Sequence, residues 1–286
     1  MLQWYYLAII SAVLMGFSTL LEKRVLKKEY ASAYSASFAV LTAVLSLVLI
    51  PFANFSMSML DVVLVYVVSL EATIGYLLTA RIYRHSDISA STPVKGVLPI
   101  IFLVLFAFFF LGEKLGPVQY AGIGITLVST YFLLFRPGKH EKYFKSAEYK
   151  YLIVVVSLLM AGGGVLFKYL LYTVNVYAFM ILVEVFMAFN MVAYMIYKYG
   201  GMPEIVSSMR TYKKELTAIV LLTFAYRLTF YLAVPITAIS LVSPLRNAVF
   251  TMMVVMLGGV MFGEKNIKAK ALLSLGIIAG AAMLVL

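Results

Sequence analysis

The stretch TPVKGVLPIIFLVLFAFFFLGEKL, residues 92–115, returns in outline as SPLRNAVFTMMVVMLGGVMFGEKN at residues 243–266, without a gap. Pro93 matches Pro244 and Lys95 matches Arg246, and both copies end in Gly-Glu-Lys. A repeat at a constant offset indicates that the chain contains two copies of one structural unit. Polar residues at matching places in an apolar segment predict an internal site.

The composition indicates that this chain is surrounded by lipid. Hydrophobic residues make up 64% of the sequence and charged residues only 12%, against about 25% charged residues in a soluble domain. Long apolar runs recur along the chain, and in hydrocarbon only helices and closed barrels satisfy every backbone group. Because the runs are uninterrupted rather than alternating, we predict an all-α membrane protein.

Charged and turn residues divide the chain into ten predicted transmembrane helices. They cover residues 3–21, 32–51, 60–82, 88–111, 117–136, 149–170, 174–198, 216–236, 238–262 and 268–286. We divide the chain into a first five-helix repeat, residues 1–140, and a second, residues 141–286. Since five crossings are an odd number, the second copy must enter the membrane from the opposite face, and the repeats are predicted to be inverted.

These features resemble the drug/metabolite transporter superfamily, specifically its EamA-type ten-helix transporters. The resemblance rests on the five-plus-five repeat and on the paired proline-containing segments that end at residues 112–114 and 263–265. It implies two inverted five-helix bundles around a central cavity, with the fifth and tenth helices at the periphery. It also implies a transporter, most often an exporter, of small metabolites, amino acids or drugs, while relatives carry nucleotide sugars or sugar phosphates. The Gly-Glu motif marks the fold and names no substrate.

Five ionisable residues lie inside the predicted spans and are our main site candidates: Glu71, Lys95, Glu184, Arg227 and Arg246. A charge at the centre of a membrane helix costs at least about 2.5–3.5 kcal/mol, so such residues usually face a partner or a wet cavity. We predict that all five bind substrate, and that Glu71, at mid-membrane, carries a coupled proton. The alternative for Glu71 and Lys95 is a purely structural ion pair.

Three of these charges are predicted to converge. Glu184, Arg227 and Arg246 lie about eight to ten residues from the same membrane face, which at about 1.5 Å per residue places them at similar depth. Two cations facing one carboxylate would favour an anionic group such as a substrate carboxylate or phosphate. In the alternative interpretation, one arginine faces interfacial water or a backbone carbonyl.

Aromatic and small residues complete the set of candidates. Tyr76 and Tyr226 share helices with Glu71 and Arg227, and we expect them to line the substrate cavity, with plain packing as the alternative. Gly276 forms a GxxxG motif with the glycine four residues later, which could pair the two terminal helices or a second protomer.

Enzyme chemistry and cofactors are not indicated. The chain has no cysteine, its two histidines lie on connections far apart in sequence, and the phosphate-binding GxxxxGK[ST] motif is absent. We therefore expect a secondary transporter of small polar metabolites, most readily amino acids, that works by alternating access without a cofactor or metal. The alternatives are transport of organic anions, sugar phosphates or nucleotide sugars, a flippase for a lipid-linked head group, and a membrane scaffold that transports nothing.

The basic residues predict an orientation. Of the 23 lysines and arginines, 18 fall in the odd-numbered connections or at the span ends beside them, and only Lys114 and Lys168 fall in or beside the even-numbered ones. Basic residues in short loops favour the cytoplasm, so we expect a cell-membrane protein with both termini outside, although many EamA-type relatives have both termini inside. The net charge of +11 then reflects topology and contact with anionic lipid rather than nucleic acid.

Overall fold

The computed structural model describes residues 3–85, 88–134, 147–199, 201–261 and 267–286. Side chains are described over residues 3–83, 99–129, 131–132, 154–199, 201–258, 261 and 275–286. In this part of the chain 89% of the residues are helical and none forms a strand. The prediction of an all-α protein is therefore confirmed.

Eleven α-helices run through the described residues. They are α1 Trp4–Leu26, α2 Ala31–Ser46, α3 Met59–His85, α4 Ile88–Leu111, α5 Pro117–Leu134, α6 Ala147–Thr173, α7 Val176–Tyr199, α8 Met202–Thr211, α9 Lys213–Ala233, α10 Ile239–Met261 and α11 Ile267–Met283. Short 3-10 segments extend α2 over Leu47–Phe52 and α9 over Val234–Ile236. Ten of the α-helices stand where the sequence predicted spans.

Seven helices in the described residues are long and apolar enough to cross a membrane. They are α1, α2 with its extension, α3, α6, α7, α9 with its extension, and α10. The described apolar part of α4, Pro99–Leu111, is shorter than a span, and α11 has 17 residues. Within the described residues the structure thus shows a helical integral membrane protein with seven candidate spans, and the ten predicted spans are not confirmed.

Helix α8 is a short element that the sequence analysis did not predict. Pro203 stands in its first turn, where a proline needs no hydrogen-bond partner for its nitrogen. Ile205 and Ser208 are buried on its inner side, and the Ser37 hydroxyl donates to the Ile205 carbonyl over 3.0 Å. A search for long apolar runs overlooks it because only ten residues are helical.

Most of the packing joins the first half of the chain to the second. Helix α1 packs on α9 and α10, and α6 packs on α3 and α4. Further pairs also cross between the halves, among them α2 with α7, α3 with α7, α4 with α10, and α5 with α11. The candidate site residues described below therefore lie close to helices of both halves.

The pair formed by α5 and α11 depends on glycine. A Cβ atom on Gly122 would lie 2.7 Å from the Gly280 carbonyl oxygen, and a Cβ atom on Gly280 would lie 2.6 Å from the Gly122 carbonyl oxygen. Two backbones that approach this closely leave no space for a side chain between them. The GxxxG motif therefore pairs the terminal helices of the two halves within one chain.

Candidate functional site

An ion pair lies between α7 and α9 inside the membrane-spanning part of the protein. The Arg227 guanidinium donates from Nη1 to Oε1 of Glu184. The Glu184 side chain is 1% exposed and that of Arg227 is 13% exposed. The second carboxylate oxygen of Glu184, Oε2, is buried and has no hydrogen-bond partner within the described residues. This carboxylate therefore has one acceptor oxygen engaged and one unused.

Arg246 approaches the same turn of α9 from α10. Its guanidinium carbon lies 4.1 Å from the ring centroid of Phe230 and 5.3 Å from that of Tyr226, and its Nη2 donates to the Met15 sulfur over 3.1 Å. Aromatic faces attract a cation, most strongly where water is excluded. The Arg246 Nε atom is buried and has no partner in the described part of the chain, so this arginine retains an unused donor.

These three charged groups form a cluster with a formal net charge of +1: Arg227 pairs with Glu184, and Arg246 lies against rings on the same turn of α9. A buried polar group without a partner is costly. The cluster contains one such atom of each kind, a donor on Arg246 and an acceptor on Glu184. The arrangement can therefore receive one anionic and one cationic group.

Tyr76 reaches this cluster indirectly, through Phe38. The two rings stack with centroids 4.8 Å apart and an interplanar angle of 8°, and Phe38 in turn lies 5.7 Å from the Arg227 guanidinium carbon. The Tyr76 hydroxyl donates to Glu22 over 2.9 Å. Glu22 is a buried carboxylate that the sequence analysis missed, because the first predicted span ended at residue 21 while α1 continues to Leu26.

Glu71 lies apart from this cluster, although the sequence analysis assigned it to the same site. Its carboxylate packs against Gly163 of α6, where a side-chain methyl group would collide with it. The carboxylate lines a groove between α3 and α6. The side chain of Lys95 is outside the described residues, and so is the predicted pairing of Glu71 with Lys95.

The Gly-Glu motif at the end of α4 forms hydrogen bonds that link the first half of the chain to the second. Gly112 has a φ of 66°, the left-handed conformation with which helices commonly end. Glu113 then accepts hydrogen bonds from the backbone N–H groups of Ile239 and Ser240, over 2.9 and 3.0 Å, and from the Ser240 hydroxyl. These groups are at the start of α10, where N–H donors are unpaired and negative charge is favoured. Glu264, the repeat counterpart of Glu113, lies outside the described residues.

Two lysines that entered the topology count are buried. Lys168 belongs to α6 rather than to a connection, is 1% exposed, and donates to the carbonyls of Val234 and Thr237, the latter over 2.6 Å. Lys23 is also buried, and donates to the Tyr83 carbonyl near the end of α3. Cations are favourable at helix C-termini, where carbonyl groups lack partners.

Comparison with solved structures found proteins whose fold is similar to that of this chain. Matches cover 28 chains, and one crystal structure, described only as that of a protein, has a TM-score of 0.73 over 99% of this chain and 99% of its own. Its sequence identity of 16% means that the likeness concerns the fold alone. Curated protein sequences gave no match. The sequence profile of the EamA-like transporter family matches residues 2–135. This match confirms the resemblance to EamA-type transporters that was found in the sequence.

Proposed function

We propose that this protein is a secondary transporter of small polar metabolites, most readily zwitterionic amino acids. The family match supports a membrane transporter of small solutes rather than an enzyme. The observation that carries the choice of substrate is the pair of unused buried atoms, Nε of Arg246 and Oε2 of Glu184. A zwitterion supplies both missing partners in one molecule.

In this proposal the substrate carboxylate binds Arg246 and the substrate ammonium group binds Glu184. Arg227 holds the Glu184 carboxylate in place through its own ion pair, and contributes to the attraction of the substrate carboxylate. The rings of Tyr226 and Phe230 exclude water from Arg246, which strengthens a charge-assisted hydrogen bond. Lys95 and Tyr76 are proposed to complete the cavity from the first half of the chain.

Alternating access is the proposed mechanism, with residues 1–140 and 141–286 as inverted five-helix repeats. The packing supports this division, since α1 contacts α9 and α10 while α6 contacts α3 and α4. Exchanging the two halves converts one of these sets of contacts into the other. The cluster lies where helices of both halves meet, so rocking of the halves would open it to each face in turn.

Glu71 remains our proposed proton-coupling residue. Its carboxylate stands in the middle of the span Met59–Tyr83 and has no partner in the described residues. If transport depends on proton exchange at this carboxylate, Glu71→Gln should flatten the pH dependence of uptake. Glu215→Gln, which removes an exposed carboxylate of α9, should leave that dependence unchanged. Identical pH profiles for both variants would exclude Glu71 from coupling.

The central test is uptake of labelled neutral amino acids, assayed one at a time in proteoliposomes that contain the purified protein. Loss of one charge-assisted contact in Arg246→Gln should weaken the apparent affinity about ten- to a hundredfold. Lys214→Gln removes an equal charge from an exposed position and is the matched control. Uptake that is the same in both variants, or absent from the parent protein, would refute this site.

The net positive charge of the cluster also supports a second substrate class, organic anions including sugar phosphates. Glu184→Gln separates the two classes. It removes the only carboxylate of the cluster, so zwitterion transport should fail while anion binding should be retained or strengthened. A flippase would instead move a fluorescent lipid reporter in the same vesicles, and a scaffold would move neither kind of solute.

The proposed orientation has both termini outside the cytoplasm, because the odd-numbered connections contain most of the lysines and arginines. A reporter fused after Leu286 should therefore behave as external. Cytoplasmic activity of that reporter would show the opposite orientation.

A further inference from the structure

A groove of about 310 Å³ runs between α3 and α6. Its lining residues are Val67, Val68, Glu71, Leu158, Leu159, Gly162, Gly163 and Leu166. Two of the wall residues are exposed, Val67 by 44% and Leu158 by 39%. Because both helices are candidate membrane spans, this groove lies within the membrane-spanning part of the protein.

Glu71 is the only polar side chain among the described residues of this lining. It stands twelve residues from either end of the span Met59–Tyr83, so it lies near mid-membrane. Within the described residues it forms no hydrogen bond and no ion pair, while the absence of a side chain at Gly163 gives its carboxylate room against α6. An ionisable group in this position is a site candidate by default, since its charge is expensive without a partner.

We propose that this groove binds a monovalent organic cation with an apolar body, which enters laterally from the lipid. The carboxylate supplies the single counter-charge, and the valine and leucine side chains supply the apolar walls. An anion would be repelled, and a small polar solute would lose its hydration without gaining hydrogen bonds. The ammonium head group of a phospholipid is confined to the interface, above the depth of Glu71. The volume is at the lower end of small-molecule sites, which begin near about 300 Å³.

The site is independent of the cluster formed by Glu184, Arg227 and Arg246. All residues of the groove belong to α3 and α6, whereas the cluster is built on α7, α9 and α10. Cation binding is measured without transport, so its failure leaves the proposed substrate site at the cluster intact, whereas the pH profile of uptake in Glu71→Gln tests the proposed proton coupling separately.

Equilibrium binding of labelled tetrabutylammonium to the purified full-length protein tests this inference. This cation carries a permanent charge, and tetrabutylborate, which has the same shape and the opposite charge, is the matched probe. The parent protein and Glu215→Gln should bind tetrabutylammonium saturably and alike. Glu71→Gln should bind it about ten- to a hundredfold more weakly, and tetrabutylborate should not compete.

Two variants that keep the charge of Glu71 test the geometry of the groove. Gly163→Ala should weaken cation binding because the new methyl group would occupy the space of the carboxylate. Gly124→Ala, where a methyl group would meet nothing within 4 Å, is its control. Val67→Phe should also weaken binding, by filling the groove from its exposed wall. Equal cation affinity in Glu71→Gln and the parent, or competition by tetrabutylborate, would overturn the proposal.

Discussion

Replacing Glu113 by alanine should weaken the fold by releasing the start of α10. The carboxylate accepts hydrogen bonds from the N–H groups of Ile239 and Ser240 and from the Ser240 hydroxyl. Removal of a side-chain acceptor at a helix N-terminus typically costs about 1 kcal/mol, and a charged acceptor forms bonds roughly twice as strong. The interaction of the negative charge with the helix dipole adds about 0.3–1 kcal/mol. The expected loss in the free energy of unfolding is therefore about 2–3 kcal/mol.

This loss can be measured by titrating the purified protein with sodium dodecyl sulfate in mixed micelles and following its helical content. Glu113→Gln should fall between the parent and Glu113→Ala, because an amide oxygen still accepts hydrogen bonds but carries no charge. Lys114→Ala is the matched control, since Lys114 is the exposed neighbour, and its effect should stay within about 0.5 kcal/mol. If Glu113→Ala is no more destabilising than Lys114→Ala, the carboxylate does not hold the two halves together.

Three further changes can be tested with the same titration. Lys168→Met should cost about 1.5–3 kcal/mol, because charge-assisted bonds to two carbonyls are lost; a loss below about 0.5 kcal/mol would contradict this. Gly280→Ala should cost about 1–3 kcal/mol by forcing α5 and α11 apart, whereas Gly124→Ala has open space for its methyl group and should cost much less. The single variants Glu184→Gln and Arg227→Gln should each destabilise more than the double variant, since each single change leaves a buried charge unpaired; additive effects would show that the ion pair is unimportant for stability.

The positions of the long helices could be predicted because hydropathy depends on the sequence alone. The ends were less predictable. Helix α1 continues to Leu26, five residues beyond the predicted end, and includes Glu22, Lys23 and Arg24. Polar residues lower the hydropathy of a segment whether or not they are buried. Glu22 and Lys23 are buried through contacts with Tyr76 and α3, which no single-sequence measure can detect.

For the candidate site as well, some positions could be predicted from the sequence and others could not. Counting residues from the membrane face placed Glu184 and Arg227 at one level, and the two side chains are paired in the structure. Counting gives depth but not the rotation of a helix about its axis. Glu71 and Tyr76 are five residues apart on α3, and at about 100° per residue their side chains leave the helix in widely different directions. Glu71 consequently faces α6 while Tyr76 faces Phe38, and this separation could not be derived from the sequence.

The two buried lysines extend the likeness of the two halves beyond the segment in which the sequence repeat is visible. Lys23 of α1 donates to Tyr83 at the end of α3, and Lys168 of α6 donates to Val234 at the end of α9. The accepting residues differ by 151 positions, the offset of the sequence repeat, whereas the lysines differ by 145, so a comparison at one offset cannot align them.

The shared requirement is physical, because carbonyl groups at the end of a membrane helix need donors. Both lysines meet it as structural caps, and neither should count as a loop charge in an argument about topology. Without them, 17 basic residues that the sequence assigned to the odd-numbered connections and the adjoining span ends remain, against a single one, Lys114, for the even-numbered connections. The charge bias therefore does not depend on either buried lysine, and it continues to favour an orientation with both termini outside.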